Sequence, residues 1–580
     1  MSVEEQKAPY SYHTFLFPFI WNDGKNTTDC DRNITMDMFL KMLPIGTHWI
    51  EDVLGHEGFF PRNNVPEYCW DYGVYQYFTD PARKLVFGQE DGSLIRSFFY
   101  RQPDQEQRQL NTYEITKDGK KYTLQLNGIR LQVFASGAAL LAFELENHES
   151  EQRNLAAVNI INEYGRRICY PYLPCKTEED GKKVSNEAKA YLTADRIEIK
   201  FDGEVIMIPD EDEKAEKRAF ACEYYLQTAK DLHDHFDDER RKMTTTYVMR
   251  PIQDILDGGL NQITSNKDHI KNKWFIRPII DDRMFVCCIV SDSAFAKECG
   301  IYDREGATCL QAELQSRSGR GEYRYLSSCD SVDDGSNTSC KLYQLLFVDG
   351  KCTSCQSHIM RRELLKRCVY DRFIDWGTIH GVSHHAIICV TGDPQYVTDT
   401  VINPFLTEYV ELAKIALIQR ATILSLSARA TEIANQAGDA KWPEKCFEFQ
   451  KDYVTARNQI FLFEVTAQEQ GVELFQMLEN ELYVTENLKK LDVQLENLYE
   501  LANLQDDRKS QENDRYLNLI ISILAIIAFV TGVLEALFPF WLEGYHRNFW
   551  WWLSLVSAGS ICVLIWAVHR YVNRKRKAKK

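Results

Sequence analysis

Leu517–Leu534 reads LNLIISILAIIAFVTGVL, eighteen residues without a charge. About 20 such residues cross a hydrocarbon core, so the stretch predicts a transmembrane helix. Phe549–Val568, FWWWLSLVSAGSICVLIWAV, adds twenty more. A buried soluble helix is the alternative reading of either run. Two in succession, joined by a short link and followed by a basic tail, favour a two-span membrane unit. The tail holds Arg570, Arg574, Lys575, Arg576, Lys577, Lys579 and Lys580. The positive-inside rule keeps this end in the cytoplasm, and two spans then leave the N-terminus there too. The link Glu543–Asn548 would face outside. Trp541, Trp550, Trp551 and Trp552 beside it suit an interfacial aromatic belt.

Working outward, the first run carries a stripe. At about 100° per residue, Asn518, Ser522, Ala525, Phe529 and Gly532 share one face, with Glu535 at its outer end. Small and polar residues on one stripe mean close helix packing or a pore lining. In a ring of subunits Glu535 would attract cations, and Phe529 would form an apolar constriction. Upstream, Val484, Leu488, Leu491, Leu495, Leu498 and Ala502 alternate by four and three, an a/d seam of period 3.5. No Gly or Pro interrupts Val472–Val530, so the seam helix is expected to continue into the first run. A second helix is expected over about Pro404–Gln436, broken at Gly438–Pro443. Two spans per chain cannot enclose an aqueous pore, so transport would require a closed ring of copies.

Composition sets the remaining bounds. At 580 residues the chain exceeds one domain. A net charge of −16 argues against nucleic acid as a direct partner. Met1–Pro9 is polar and lacks the apolar core of a signal peptide. The 17 cysteines therefore read as reduced thiols rather than a disulfide framework. Cys352 and Cys355, with Cys340 and His358, could be half a zinc site, but buried free thiols are the commoner outcome. His380, His384 and His385 lead into the run Ala386–Val390. Strand alternation would send His384 and His385 to opposite faces, against a shared metal.

The N-terminal body reads as α+β. YTLQL, IRLQVF and ALLAFELE within 112–146, separated by Lys117–Lys120, Asn127-Gly128 and Ser136-Gly137, predict an antiparallel meander. Further strands are expected near Arg196–Pro209, Met284–Val290 and Ala386–Val390, with an acidic helical stretch over Asp210–Lys242. Nucleotide-loop, zinc-protease, serine-hydrolase and calcium-loop signatures are absent, so no enzymatic activity is expected. Gly319-Arg320-Gly321 lacks the rest of a dinucleotide fingerprint. Two places stand out. Asn162, Arg166 and Arg167, in NEYGRR ahead of Pro171 and Pro174, suit phosphate recognition, because guanidinium forks match phosphate oxygens; a salt-bridged pair is the alternative. Asp281, Asp282 and Arg283, before MFVCCIV, could bind ligand hydroxyls or metal, or serve as a cap and salt bridge.

The long helix, two apolar runs, short link and basic tail resemble the CorA family of divalent-cation channels over about 401–580. FLTEYVELAKIALIQRATILSL, Phe405–Leu426, is similar to the helix that opens the stalk in that family. The resemblance implies a pentamer whose first span lines the pore. Gly532–Trp541, GVLEALFPFW, replaces the Gly-Met-Asn that binds hydrated magnesium in CorA transporters. YHTFLFPFIW, NEYGRRICYPYL, DDRMFVCC and GVSHHAIICVTGD look like the CorA-like effectors of type III CRISPR systems. That resemblance implies an antiviral channel in the bacterial inner membrane, opened by a conjugate of S-adenosylmethionine and AMP (SAM-AMP). A divalent-cation (Mg2+) transporter with an enlarged regulatory cytosolic domain is the alternative. The expected organisation is α+β regions at 1–150, 151–270 and 271–400, a helical coiled-coil-like stalk at 401–515 and a two-span membrane domain at 516–580. Membrane lipids, further copies of the chain and the nucleotide messenger are the expected partners.

Overall fold

A computed structural model describes residues 8–21, 36–41, 43–52, 67–88, 94–101, 111–168, 176–179, 182–185, 194–207, 277–278, 283–300, 323–330, 337–392, 397–437 and 441–537, with Ile252, Ile255 and Leu256. It divides into two compact units. One comprises 1–437 with 448–496, the other 438–447 with 497–580.

The first unit is built on one 13-stranded mixed sheet. Its strands are β1 Ser11–Ile20, β2 Trp49–Glu51, β3 Ile95–Tyr100, β4 Thr112–Lys117, β5 Lys120–Phe134 and β6 Ala138–Asn147. After a separate two-stranded hairpin, β7 Lys176–Glu179 and β8 Lys182–Ser185, come β9 Arg196–Phe201 and β10 Glu204–Met207. Then follow β11 Arg277–Pro278, β12 Phe285–Ser291, β13 Val369–Tyr370, β14 Ile379–Val382 and β15 Ala386–Thr391. The order is β10-β9-β4-β5-β6-β1-β12-β15-β14-β13. A single sheet therefore draws strands from each of the ranges 1–150, 151–270 and 271–400.

Alternation explains its outer half. β4 and β9 bury every second residue, the mark of a sheet with one wet face. The central β12 and β15 are buried throughout and pair in parallel, as near-continuous apolar strands covered on both faces do. Asp118 and Gly119 (φ 52° and 73°) close the β4–β5 hairpin, and positive φ at both central residues suits such a turn. Asn127-Gly128 does not turn. β5 runs straight through it, with a register shift between Leu126 and Gly128 against β6. The dipeptide marks a bulge, so two expected strands are one of 15 residues.

Helices cover both faces. On one side lie α1 Leu155–Gly165 and, later in the chain, α2 Ser293–Cys299, α3 Thr338–Phe347 and α4 His358–Cys368. Each begins on a side-chain cap, Asn154, Asp292, Asn337 and Ser357 in turn, which satisfies an otherwise orphaned amide. On the other side α5 Val410–Asn435 packs on β1 and β6. Two single π-turns around Pro404 lead into α5. α6 Trp442–Ile460, α7 Glu469–Glu481 and α8 Val484–Leu537 complete the described chain.

The seam helix does not start at Val472. Tyr483, with φ 56°, breaks the backbone between α7 and α8. Within the first unit, Val484, Leu488, Leu491 and Leu495 are buried by this chain alone. Ser427 donates to Gln494, and Tyr453 to Asp492, so the seam has an intramolecular partner.

The membrane expectation is corrected. Among the described residues no helix is long and apolar enough to cross a membrane. The run beginning at Leu517 is the end of a 54-residue helix that carries charged residues up to Arg515. The two-span CorA-like architecture, the inner-membrane location and the ion-channel reading are set aside on this finding. Asn518, Ser522, Ala525 and Phe529 are exposed along α8. Ser522 Oγ donates back to the Asn518 carbonyl at 2.7 Å, and nothing lies within 4 Å of where a Cβ on Gly532 would point. The Glu535 side chain, Phe549–Val568, the link, the basic tail and Asp210–Lys242 lie outside the described residues.

Candidate functional site

The NEYGRR segment ends α1, whose last turns are buried. Asn162 is a structural strut. Its Oδ1 lies 2.7 Å from His13 Nδ1, and His13 Nε2 lies 2.9 Å from Ser11 Oγ. An amide oxygen only accepts, so Nδ1 carries the proton and Nε2 accepts from the serine. Hydroxyl, imidazole and carboxamide follow one another as in a hydrolase relay. All three are sealed from solvent, so no substrate reaches the hydroxyl. Burial takes His13 down to about 4, against the raising hydrogen bond from Asn162.

Arg166 and Arg167 are also buried, at 2% and 8% exposure. Both pair with Glu163, at 3.1 and 2.9 Å. That is the i,i+3 and i,i+4 spacing of a helical ion pair. Burial lowers Arg166 to about 10 despite Glu163; Arg283 and Arg167 push the same way. The Arg166 carbonyl accepts from Met284 N at 2.9 Å. Of the two sequence-picked places, 162–167 and Arg283 are thereby neighbours in space. Asp281 and Asp282, like Pro171 and Pro174, lie outside the described residues.

Arg283 leads to a cleft. β1 pairs with β12 from Ser11–Val290 to Leu16–Phe285. Two residues further the register would set Pro18 opposite Arg283. Proline has no N–H, so the ladder cannot continue there, and beyond it β1 pairs with β11 instead. The opening has a volume of about 230 Å³, lined by Pro18, Arg283, Met284, Phe285, His384, His385, Leu417 and Arg420. Leu417 and Arg420 come from α5. Among the described residues the lining holds two guanidiniums and two imidazoles but no carboxylate.

The histidines were expected on opposite strand faces. They precede β15, in a bend, so strand alternation does not govern them. Their rings stand perpendicular with centroids 5.3 Å apart. Arg420 Nη1 lies 3.1 Å from His384 Nε2, and His384 Nδ1 lies 2.9 Å from the Glu481 carbonyl. His380 is elsewhere, buried among Tyr370, Phe405 and Tyr409. Cys352 is exposed, Cys355 half-buried and Cys340 buried. Among the described residues no cluster of His, Cys, Asp or Glu could hold a metal ion.

No family model, curated protein or solved structure matches this chain. Function is therefore argued from the cleft itself. Sequence reasoning found Arg283 but missed Arg420. Arg420 sits in the apolar run of α5, and its lone charge there was the available signal.

Proposed function

We propose that this chain is a nucleotide-responsive protein that holds a phosphate of its ligand in the cleft between Pro18, Arg283, His384, His385 and Arg420. The observation that carries the reading is the lining: two guanidiniums and two imidazoles converge there among the described residues. Guanidinium forks match phosphate oxygens in shape and charge. Ligand pockets commonly measure about 300–1,000 Å³. The cleft, at about 230 Å³, suits a phosphate with its sugar rather than a whole dinucleotide. A SAM-AMP conjugate, the messenger implied by the sequence resemblance, would place the phosphate of its AMP part there and leave its ends outside.

Calorimetric titration of the full chain with an adenosine phosphodiester tests this. Each charged hydrogen bond contributes about 1.5–3 kcal/mol, so Arg283→Ala and Arg420→Ala should each weaken binding roughly ten- to hundredfold. Arg372→Ala, on a separate surface paired with Glu469 and Glu473, serves as the control. Unchanged affinity in both cleft variants refutes the reading.

A further inference from the structure

We infer that the phosphate bound in this cleft is taken up together with one proton, carried on Nε2 of His384, so that affinity depends on pH. This rests on the phosphate reading of the cleft. The argument starts from hydrogen-bond roles. A guanidinium only donates. Arg420 Nη1 approaches His384 Nε2 at 3.1 Å, so Nε2 must present its lone pair. Nδ1 then carries the ring proton and donates it to the Glu481 carbonyl at 2.9 Å. The ring is neutral, its tautomer fixed from both sides, and its lone pair points at a cleft-lining cation.

A phosphate oxygen is a stronger acceptor for a guanidinium than a neutral imidazole is. As Arg420 turns its fork to the phosphate, His384 Nε2 is left facing an oxyanion, lone pair against lone pair. A proton taken from solvent onto Nε2 converts that repulsion into a charged N–H···O⁻ bond. The ring need not flip, because Nδ1–H keeps the Glu481 carbonyl throughout. The proton ends shared between imidazolium and phosphate oxygen, and no covalent bond changes.

The groups facing the ring support the sign. Among the described residues they are Arg420 on α5, Arg283 at the foot of β12, His385 beside it, and Tyr483, whose ring centroid is 5.9 Å away. Glu481, at the end of α7, has its carboxylate paired with Arg367 on α4. Burial, then the Arg420 and Arg283 guanidiniums, hold His384 below its ordinary value, against the raising effect of Glu481. A phosphate offsets the two guanidinium charges and sets a negative one beside the ring, raising it. Affinity is therefore full below the free ring's pKa. It is lost as pH rises toward that of the complex, by up to about tenfold per pH unit.

Calorimetry in two buffers of different ionisation enthalpy, with two adenosines joined by one phosphodiester as probe, reads the proton directly. The probe's own charge is constant across the neutral range, so any proton taken up belongs to the protein. Wild-type chain should take up a proton on binding, and its affinity should fall with rising pH. His384→Asn keeps an N–H for the Glu481 carbonyl but cannot be protonated. It should bind more weakly, without uptake and with a flat pH profile. Wild-type binding without proton uptake, or uptake that persists in His384→Asn, overturns the inference while leaving the phosphate site standing. No binding of the probe by wild type removes the site, and the inference with it.

Discussion

Glu163 holds two buried guanidiniums, and removing its charge alone is the most informative perturbation of the body. Its Oε2 lies 3.1 Å from Arg166 Nη2 and its Oε1 2.9 Å from Arg167 Nη2. Its own side chain is 13% exposed. Glu163→Gln keeps the shape and deletes the charge. Two cations then lose their shared carboxylate, with Arg283 near enough to add to the repulsion and Asp349 still acting on Arg166. Breaking a buried pair by removing one partner costs about 3–5 kcal/mol, and here one carboxylate serves two partners. Urea unfolding followed at the tryptophans should therefore show Glu163→Gln less stable by about that amount. Replacing the whole triad, as Glu163→Leu with Arg166→Met and Arg167→Leu, should return stability close to wild type. An apolar substitute of similar volume avoids the desolvation cost altogether. A Glu163→Gln loss under about 1 kcal/mol, or a triple variant as unstable as the single, refutes the argument. Ligand binding adds a second reading. If Arg166 and Arg167 held phosphate themselves, freeing them from Glu163 would tighten binding; a structural triad leaves the affinity of the folded protein unchanged.

Acid should find His380. Burial takes its ring down to about 4, so between pH 6.5 and 4 the unfolded chain binds the proton first. Stability is intact above that window and lost as pH falls through it, by roughly 3 kcal/mol for this ring. His380→Phe should remove that part of the acid loss, and identical acid-unfolding curves for variant and wild type would count against it. Gly471→Ala, near the start of α7, would drive a Cβ into the Tyr77 hydroxyl and to 2.7 Å from Thr466 Cγ2. An overpacking cost of about 1–3 kcal/mol follows, partly recovered by Tyr77→Phe, and a thermal midpoint equal to wild type would contradict the close approach.

Much of the local structure was legible in the chain. Alternation marked β4 and β9, and unbroken apolar runs marked β12 and β15. The 3.5 period marked the buried side of α8, and the spacing of Glu163, Arg166 and Arg167 already allowed their pairing. These signals are local, because backbone geometry repeats every two or 3.6 residues and writes itself into neighbouring side chains. Asn127-Gly128 shows the limit. The dipeptide permits a turn, but pairing along β6 carried the strand through it as a bulge. The uncharged run at Leu517 misled for a related reason: it closes a 54-residue helix with charges before it, and among the described residues no helix is long and apolar enough to cross a membrane. The cleft lay beyond local reading altogether. Pro18, Arg283 and the His384–Arg420 pair lie far apart in sequence, and only the sheet order β6-β1-β12-β15, with α5 laid across it, brings them together. Proline at 18 is unremarkable until β12 is seen to end opposite it. Whether an arginine is a strut, like Arg166, or lines an opening, like Arg420, depends on which neighbours tertiary packing supplies for the same guanidinium.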